Sequence, residues 1–206
     1  TALPDLVLRD APAVGVVVVG EGEETFTDVV RARRDPAAVA ALPGVVTRGA
    51  GADDALVVGP ERARLRAVDD IPEPAWDLLP IEAYLELGHG FGVHRGRSMP
   101  ILATRGCPYQ CTFCSSPFMW TTRWVPRTPA LVLDEIEKYL EVHKAQNIDF
   151  YDLTAIVRRS WIIEFCELIL ERGLEFTWQL PSGTRSEAID DEVVALLRRA
   201  GCRNMS

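Results

Sequence analysis

Three cysteines follow one another at short, fixed spacing in the middle of the chain. Cys107, Cys111 and Cys114 form the pattern C-x3-C-x2-C. Three thiolates on one short loop can converge on one metal centre. Iron–sulfur clusters are normally held by four cysteines, so three would leave one iron of a four-iron cluster open to a substrate or cofactor. The spacing therefore favours a [4Fe-4S] cluster.

Two other uses of these thiols stay open from the residues alone. A disulfide would leave one of the three thiols over and needs an oxidising compartment. A zinc-binding interaction module needs a fourth ligand, and His89 and His94 lie near in sequence without paired ligand spacing. An iron–sulfur electron carrier is a further alternative, although such carriers rarely leave an iron without a thiolate.

The cysteines come directly after a predicted strand, and a regular alternation of strands and helices follows them. Thr128-Pro129 predicts the start of a first helix, Ser160 the cap of a second that Gly173 ends, and Asp190 the cap of a third that Gly201 ends. The predicted strands are Pro100–Thr104, Ile148–Leu153, Glu175–Leu180 and a fourth from Arg203. Repeated βα units imply parallel strands in an open sheet or a barrel, with the site at the strands' carboxyl ends.

The first third of the chain has a different pattern. The apolar run Gly15–Gly20 is typical of a strand buried on both faces in a parallel sheet, and a helix to about Arg33 follows it. Two short apolar runs, 43–47 and 55–58, predict a hairpin. Residues 69–80 carry three prolines and predict a stiff linker. We therefore expect an α/β region over 1–68, a Pro-rich linker over 69–98 and a βα domain over 99–206.

Composition excludes several classes of protein. The chain has 206 residues with a net charge of −8, which is unusual for a duplex nucleic-acid binder. Its longest apolar run, Val14–Val19, is far shorter than the ~20 residues of a membrane helix. Five cysteines, an odd number, indicate a reducing compartment such as the cytoplasm. The start at Thr1 and the strand-like residues at the end lead us to expect a fragment of a longer protein.

The cysteine loop resembles the signature loop of radical S-adenosylmethionine (SAM) enzymes. The resemblance is carried by Ala103-Thr104-Arg105-Gly106-Cys107-Pro108-Tyr109-Gln110-Cys111-Thr112-Phe113-Cys114. It implies that the three cysteines hold a [4Fe-4S] cluster whose fourth iron is chelated by SAM, and that an electron from the cluster cleaves SAM to methionine and a 5′-deoxyadenosyl radical. It places Phe113 beside the adenine. It also implies that residues 99–206 form roughly the first half of a partial (β/α) barrel.

The same resemblance implies which residues contact the methionine and ribose parts of SAM. These residues lie at the ends of the second and third strands: Asp152, Thr154, Gln179, Ser182 and Arg185. A guanidinium pairs well with a carboxylate, and a carboxylate or amide pairs with ribose hydroxyls. The residues themselves leave alternatives open, with Asp152 as a cap for the loop that follows it and Arg185 as a solvated side chain. The glycine-rich motif that the family has at the second strand is replaced by residues 152–155, Asp-Leu-Thr-Ala.

The residues before the linker resemble one subgroup of that family. Val16–Phe26, with Gly20-Glu21-Gly22-Glu23, is similar to the tail of a Rossmann-like cobalamin-binding domain, and the linker with Tyr84 is similar as well. The resemblance implies cobalamin as a further cofactor, although the Asp-x-His-x-x-Gly cobalt-ligand motif does not occur in these 206 residues. It implies a methyltransferase or an oxidative cyclase that acts on a small molecule. It also implies flavodoxin or ferredoxin as the electron donor, and neither nucleic acid nor a membrane as a partner.

Overall fold

The computed structural model describes residues 3–49, 55–65, 67–182, 184 and 186–206. It divides into two compact units. The first unit is Thr1–Arg66 with Cys107–Arg123, and the second is Ala67–Gly106 with Trp124–Ser206. The segment Cys107–Arg123, here called the cysteine loop, therefore belongs to the first unit, although the residues on both sides of it in sequence belong to the second.

The first unit contains a three-stranded antiparallel sheet. Its strands, in spatial order, are β1 (Val16–Val18), β2 (Val45–Arg48) and β3 (Leu56–Val58). Its helices are α1 (Pro4–Asp10), α2 (Gly22–Ala32), α3 (Pro36–Ala40) and, within the cysteine loop, α5 (Ser116–Trp120). A small core of Leu8, Val17 and Val46 joins α1 to the sheet.

The structure confirms part of what the sequence predicts for this unit. The predicted hairpin is present, since β2 and β3 pair antiparallel with Val46 opposite Val58. The predicted helix after Gly20 is α2. The prediction for the Gly15–Gly20 run is wrong: β1 pairs antiparallel with β2, and only Val17 of its three residues is buried. An apolar run indicates a strand, but it establishes neither burial on both faces nor the direction of the neighbouring strand.

The second unit contains a four-stranded parallel sheet, as predicted. Its strands, in spatial order, are β4 (Ser98–Ile101), β7 (Asn147–Phe150), β8 (Thr177–Leu180) and β9 (Cys202–Met205). Its crossover helices are α6 (Pro129–Val142), α7 (Arg159–Glu171) and α8 (Asp191–Arg199). Two further strands, β5 (Thr104–Arg105) and β6 (Val125–Pro126), pair antiparallel with each other. They lie before and after the cysteine loop in sequence.

One of the three predicted helix starts and both predicted helix ends behave as the residue types suggest. The Asp190 side chain caps α8 by accepting a hydrogen bond from the Val193 N–H at 2.9 Å. Gly173 and Gly201 end α7 and α8 with φ of +64° and +93°, which are left-handed values that glycine adopts without strain.

The two other helix starts differ in detail from the prediction. Thr128 does precede α6, but its hydroxyl donates to Asp69 Oδ2 at 2.6 Å rather than capping the helix. Ser160 is not a cap, because α7 already begins at Arg159. The Arg159 guanidinium pairs with Asp190 Oδ2 at 3.0 Å, so the first residue of α7 is joined to the cap of α8.

The Pro-rich segment packs within the second unit. It forms short 3₁₀ helices at Val68–Asp70 and Trp76–Leu78, followed by the helix α4 (Ile81–Glu86). The indole N–H of Trp76 donates to the Tyr139 hydroxyl at 3.0 Å, which attaches the segment to α6.

The two faces of the parallel sheet differ in polarity. Ile148, Phe150 and Trp178 are fully buried in the apolar core that α6, α7 and α8 share. Side chains alternate along a strand, so Asn147, Asp149 and Gln179 lie on the opposite face. That second face is therefore lined by buried polar side chains. Among the described residues, no helix combines the length and the apolar character needed to cross a membrane.

Candidate functional site

The cysteine loop presents three partly buried thiols. All five cysteines of the chain lie among the described residues and are thiols, with no disulfide between them. Cys107, Cys111 and Cys114 are each half-buried, whereas Cys166 and Cys202 are buried. The Cys114 sulfur accepts a hydrogen bond from the Ser116 N–H at 3.4 Å. This hydrogen bond ties the Cys114 sulfur to the first residue of α5.

The three thiols suit an iron–sulfur cluster in their chemistry, but they do not converge on one point. Among the described residues, no three side chains of His, Cys, Asp or Glu lie close enough together to hold one metal ion. The fit to a cluster therefore rests on the donor set, three accessible thiols within eight residues. The assignment of Cys107, Cys111 and Cys114 as ligands stays a prediction, and binding would require the loop to draw the sulfurs together.

Phe113 lies between two of these cysteines, and its side chain is 90% exposed. Because so little of the ring is buried, moving it costs little free energy of burial. Its exposed face is one on which a flat ligand can stack. Its predicted place beside an adenine stays a prediction.

The strands β5 and β6, which flank the cysteine loop in sequence, are here called its stem and belong to the second unit. β5 and β6 pair with Thr104 opposite Pro126, and the Arg127 N–H then donates to the Ala103 carbonyl at 2.9 Å. The Arg127 guanidinium forms an ion pair of 2.6 Å with Glu135, whose side chain is only 3% exposed. The stem is therefore fixed by backbone pairing and by a buried ion pair at its base.

Asp152 is buried directly after β7 and connects this strand to the start of the stem. Its Oδ1 accepts from the Thr104 hydroxyl at 2.6 Å, and its Oδ2 accepts from the Ala103 N–H at 3.2 Å. Burial raises the pKa of Asp152 to about 6, although its hydrogen bonds lower it. Both carboxyl oxygens are thus used to hold the residues that lead into the cysteine loop. Contact between Asp152 and a ligand stays a prediction.

Thr154 lies beside the hydrogen bond between the Thr104 hydroxyl and Asp152, and it is also buried. Its carbonyl accepts from the Trp124 indole N–H at 3.0 Å and lies 3.3 Å from the Thr104 hydroxyl. The end of β7 therefore touches both sides of the stem, since Thr104 precedes the cysteine loop and Trp124 follows it.

Gln179 is fully buried on the polar face of the sheet. Its Nε2 donates to Asp149 Oδ1 at 2.7 Å and to the Val93 carbonyl at 2.8 Å, while its Oε1 accepts from the Val93 N–H at 3.1 Å. Both N–H groups and the oxygen of the side-chain amide are therefore hydrogen-bonded to protein groups. Its predicted contact with SAM stays a prediction and would require exchange of these hydrogen bonds.

The remaining predicted contacts lie in the loop after β8. Ser182 is half-buried there. Arg185 lies outside the described residues.

The sequence analysis missed a polar network centred on Asp149. The carboxylate is 2% exposed and accepts from Asn147 Nδ2 at 2.6 Å as well as from Gln179. A glycine-rich segment covers this network closely, since a Cβ at Gly92 would lie 2.3 Å from Gln179 Nε2. Two signals could have found it: a charged residue in the middle of the apolar run 148–150, and glycines at alternate positions 88, 90 and 92.

Comparisons with known proteins identify the family and the fold. The family model described as "Radical SAM superfamily" matches residues 101–206. A protein described as an uncharacterized methyltransferase from Pyrococcus horikoshii is 29% identical over 205 residues, which is 100% of this chain and 42% of that protein. The anaerobic magnesium-protoporphyrin IX monomethyl ester cyclase of Cereibacter sphaeroides is 32% identical over 97% of this chain and 32% of the cyclase.

A solved structure shows the same fold over nearly the whole chain. The radical SAM methyltransferase TsrM from Kitasatospora setae, solved with cobalamin and a [4Fe-4S] cluster bound, superposes with a TM-score of 0.65 at 21% identity. The match covers 99% of this chain and 39% of TsrM. The chain therefore spans less than half the length of the proteins that it matches.

Proposed function

Because this chain belongs to the radical SAM superfamily, we propose that it is part of an enzyme that cleaves SAM reductively with a [4Fe-4S] cluster. When bound, these groups would supply a 5′-deoxyadenosyl radical that starts chemistry on an unreactive carbon or phosphorus atom. The observation that carries the proposal is the triplet of Cys107, Cys111 and Cys114 on a loop that follows the first strand of a parallel sheet. A site at the carboxyl end of a strand is where folds of this kind bind their ligands.

The residues of this chain would have two roles: some would contact the cluster and SAM, and others would hold the cysteine loop in position. The three thiolates would be the cluster ligands, and Phe113 would lie against the adenine. Asp152 would keep the stem of the loop against the end of β7 through its bonds to Ala103 and Thr104. We propose Gln179, Ser182 and Arg185 as the contacts to the rest of SAM.

We propose methyl transfer with cobalamin as the methyl carrier as the overall reaction. The support is the match to a methyltransferase over the whole of this chain and the fold shared with TsrM, whose structure holds cobalamin. Oxidative cyclisation is the second candidate, because the cyclase of C. sphaeroides is the more identical of the two relatives.

The remaining proposals concern the context of the enzyme. We propose a small-molecule substrate and a flavodoxin or ferredoxin as the electron donor. The half-buried thiols support a reducing compartment, the cytoplasm. We also propose residues 1–68 as the end of a cobalamin-binding-like domain, 69–98 as a linker and 99–206 as the first half of the barrel.

The test is anaerobic reconstitution of the full-length protein with iron and sulfide. We expect about four iron atoms per chain, and an EPR signal of the reduced protein that changes shape when SAM is added. Dithionite should then release 5′-deoxyadenosine and methionine, detected by mass spectrometry. Cys111→Ala should abolish the cluster, whereas the matched variant Cys202→Ala should keep it. A zinc-containing, colourless protein, or a cluster signal that ignores SAM, would refute the proposal.

A further inference from the structure

Arg64 forms hydrogen bonds with residues 120–123, the last segment of the cysteine loop, which is here called the arm. Its Nη1 donates to the Trp120 carbonyl at 2.5 Å and to the Arg123 carbonyl at 2.8 Å, and lies 3.3 Å from the Thr121 hydroxyl. Trp120 ends α5 and Arg123 is the last residue of the loop. One guanidinium nitrogen therefore contacts three residues within four consecutive positions, and all of these residues belong to the first unit.

Glu21 holds Arg64 in place. Its side chain is 5% exposed; Oε1 lies 3.5 Å from Arg64 Nη2, and Oε2 accepts from the Leu65 N–H at 2.6 Å. A buried carboxylate needs such partners, because burial without a cation and donors is costly. Glu21 belongs to the Gly-Glu-Gly-Glu turn between β1 and α2. The turn is thus joined to the cysteine loop through one arginine.

The arm does not owe its position to close packing. Glu21, Arg64, Met119 and Thr121 line a cavity of about 500 Å³, and the Phe118 side chain is 85% exposed. Thr121 has φ 58° and ψ −169°, a backbone conformation that non-glycine residues adopt only when their surroundings enforce it. The hydrogen bonds of Arg64 join the residues on both sides of Thr121, and the Thr121 hydroxyl also accepts from the Arg123 N–H at 3.3 Å.

We propose that Arg64, held by Glu21, is a positioning residue for the cysteine loop. The pair fixes the arm from Trp120 to Arg123 and so limits the conformations in which the cysteines can present a cluster to SAM. This inference rests on the proposed function for its consequence in catalysis, but its structural part concerns the loop alone.

Arg62 provides a matched control. It lies two residues away with a side chain 19% exposed, against 17% for Arg64. It pairs with Glu24 at 3.0 Å and with Asp28 at 2.5 Å. Both partners lie on α2, outside the cysteine loop, so Arg62→Met removes a guanidinium of similar exposure, together with its ion pairs, without touching the arm.

The experiment compares Arg64→Met and Arg62→Met in the full-length protein. Hydrogen–deuterium exchange of the apo-protein reports the order of residues 114–124, and we expect at least about tenfold faster exchange in Arg64→Met, because the variant loses two charge-assisted hydrogen bonds to the arm. In the reconstituted protein we expect about a tenfold loss of uncoupled 5′-deoxyadenosine formation at nearly unchanged iron content, since the ligands remain. Arg62→Met should stay within about twofold of wild type in both measurements.

Each outcome decides the proposal. Equal exchange in Arg64→Met and Arg62→Met would overturn it, as would faster exchange without any change in SAM cleavage or in the SAM-dependent EPR shape. If Arg64→Met does not fold, Glu21→Gln takes its place, because it keeps an acceptor for the Leu65 N–H while weakening the hold on Arg64; about threefold faster exchange is then expected. A wild-type protein without a SAM-dependent signal would refute the proposed function, and the exchange data would still decide whether Arg64 orders the arm.

Discussion

Replacing Asp152 by asparagine should stabilise the protein at neutral pH and leave it unchanged or weaker at acid pH. The pKa of Asp152 is raised from 3.8 to about 6 by burial. A carboxyl whose pKa is raised in the folded state contributes stability that is fully present below pH 3.8 and is lost as the pH rises through about 6. A shift of about two units corresponds to about 3 kcal/mol of stability that the wild type lacks above pH 6.

Asparagine can keep the local hydrogen bonds. Its oxygen can accept from the Ala103 N–H, and its NH₂ can donate to the Thr104 hydroxyl, whose own hydrogen can turn to the Thr154 carbonyl 3.3 Å away. The pKa of about 6 already includes the effect of the charged hydrogen bonds, which lower it. The net expectation for Asp152→Asn at pH 8 is therefore a gain of about 3 kcal/mol in the free energy of unfolding.

The assay is urea unfolding of wild type and variant between pH 4 and pH 8, followed by tryptophan fluorescence. Four of the five tryptophans, Trp76, Trp124, Trp161 and Trp178, lie in the second unit and report on it. The difference in free energy between variant and wild type should rise by about 2 kcal/mol from pH 4 to pH 7. Asp152→Ala, which leaves two donors without an acceptor, should lose about 2 kcal/mol relative to Asp152→Asn at every pH. A difference between Asp152→Asn and wild type that does not vary with pH would refute the reasoning.

Three further substitutions test the packing of the second unit by the midpoint of urea unfolding. Gly92→Ala places a Cβ 2.3 Å from Gln179 Nε2 and should cost about 2 kcal/mol; an unchanged midpoint would show that the segment 88–96 is not pressed against the sheet. Trp178→Phe leaves the Ala200 carbonyl without its 2.8 Å indole donor and opens space in the core, so a loss of about 2–3 kcal/mol is expected, and a loss under about 1 kcal/mol would contradict it. Lys144→Gly relieves a residue at φ 52° directly after the end of α6 and should gain about 1 kcal/mol; a destabilised variant would count against strain at that position.

Much of the second unit can be predicted from local patterns because each βα repeat carries its own signals. The apolar runs before Asp152 and around Trp178 are strands, and Asp190, Gly173 and Gly201 mark helix ends as their residue types suggest. Parallel order then follows from the handedness of βα crossovers. Ser160 was mistaken for a cap because its residue type suits one, whereas α7 already begins at Arg159.

By itself, the sequence determined the cysteine spacing, the family and the alternation of strands and helices, because these depend on residue types at short separations. Only the tertiary structure decided the antiparallel pairing of β1, the use of Asp152 to hold the stem, and the full occupation of Gln179 by Val93 and Asp149. The same holds for Arg64, which reaches an arm more than fifty residues away in the chain. Apart from the pairing of β1, each of these rests on a buried polar side chain, and which partner satisfies such a group depends on what the fold brings within about 3 Å of it.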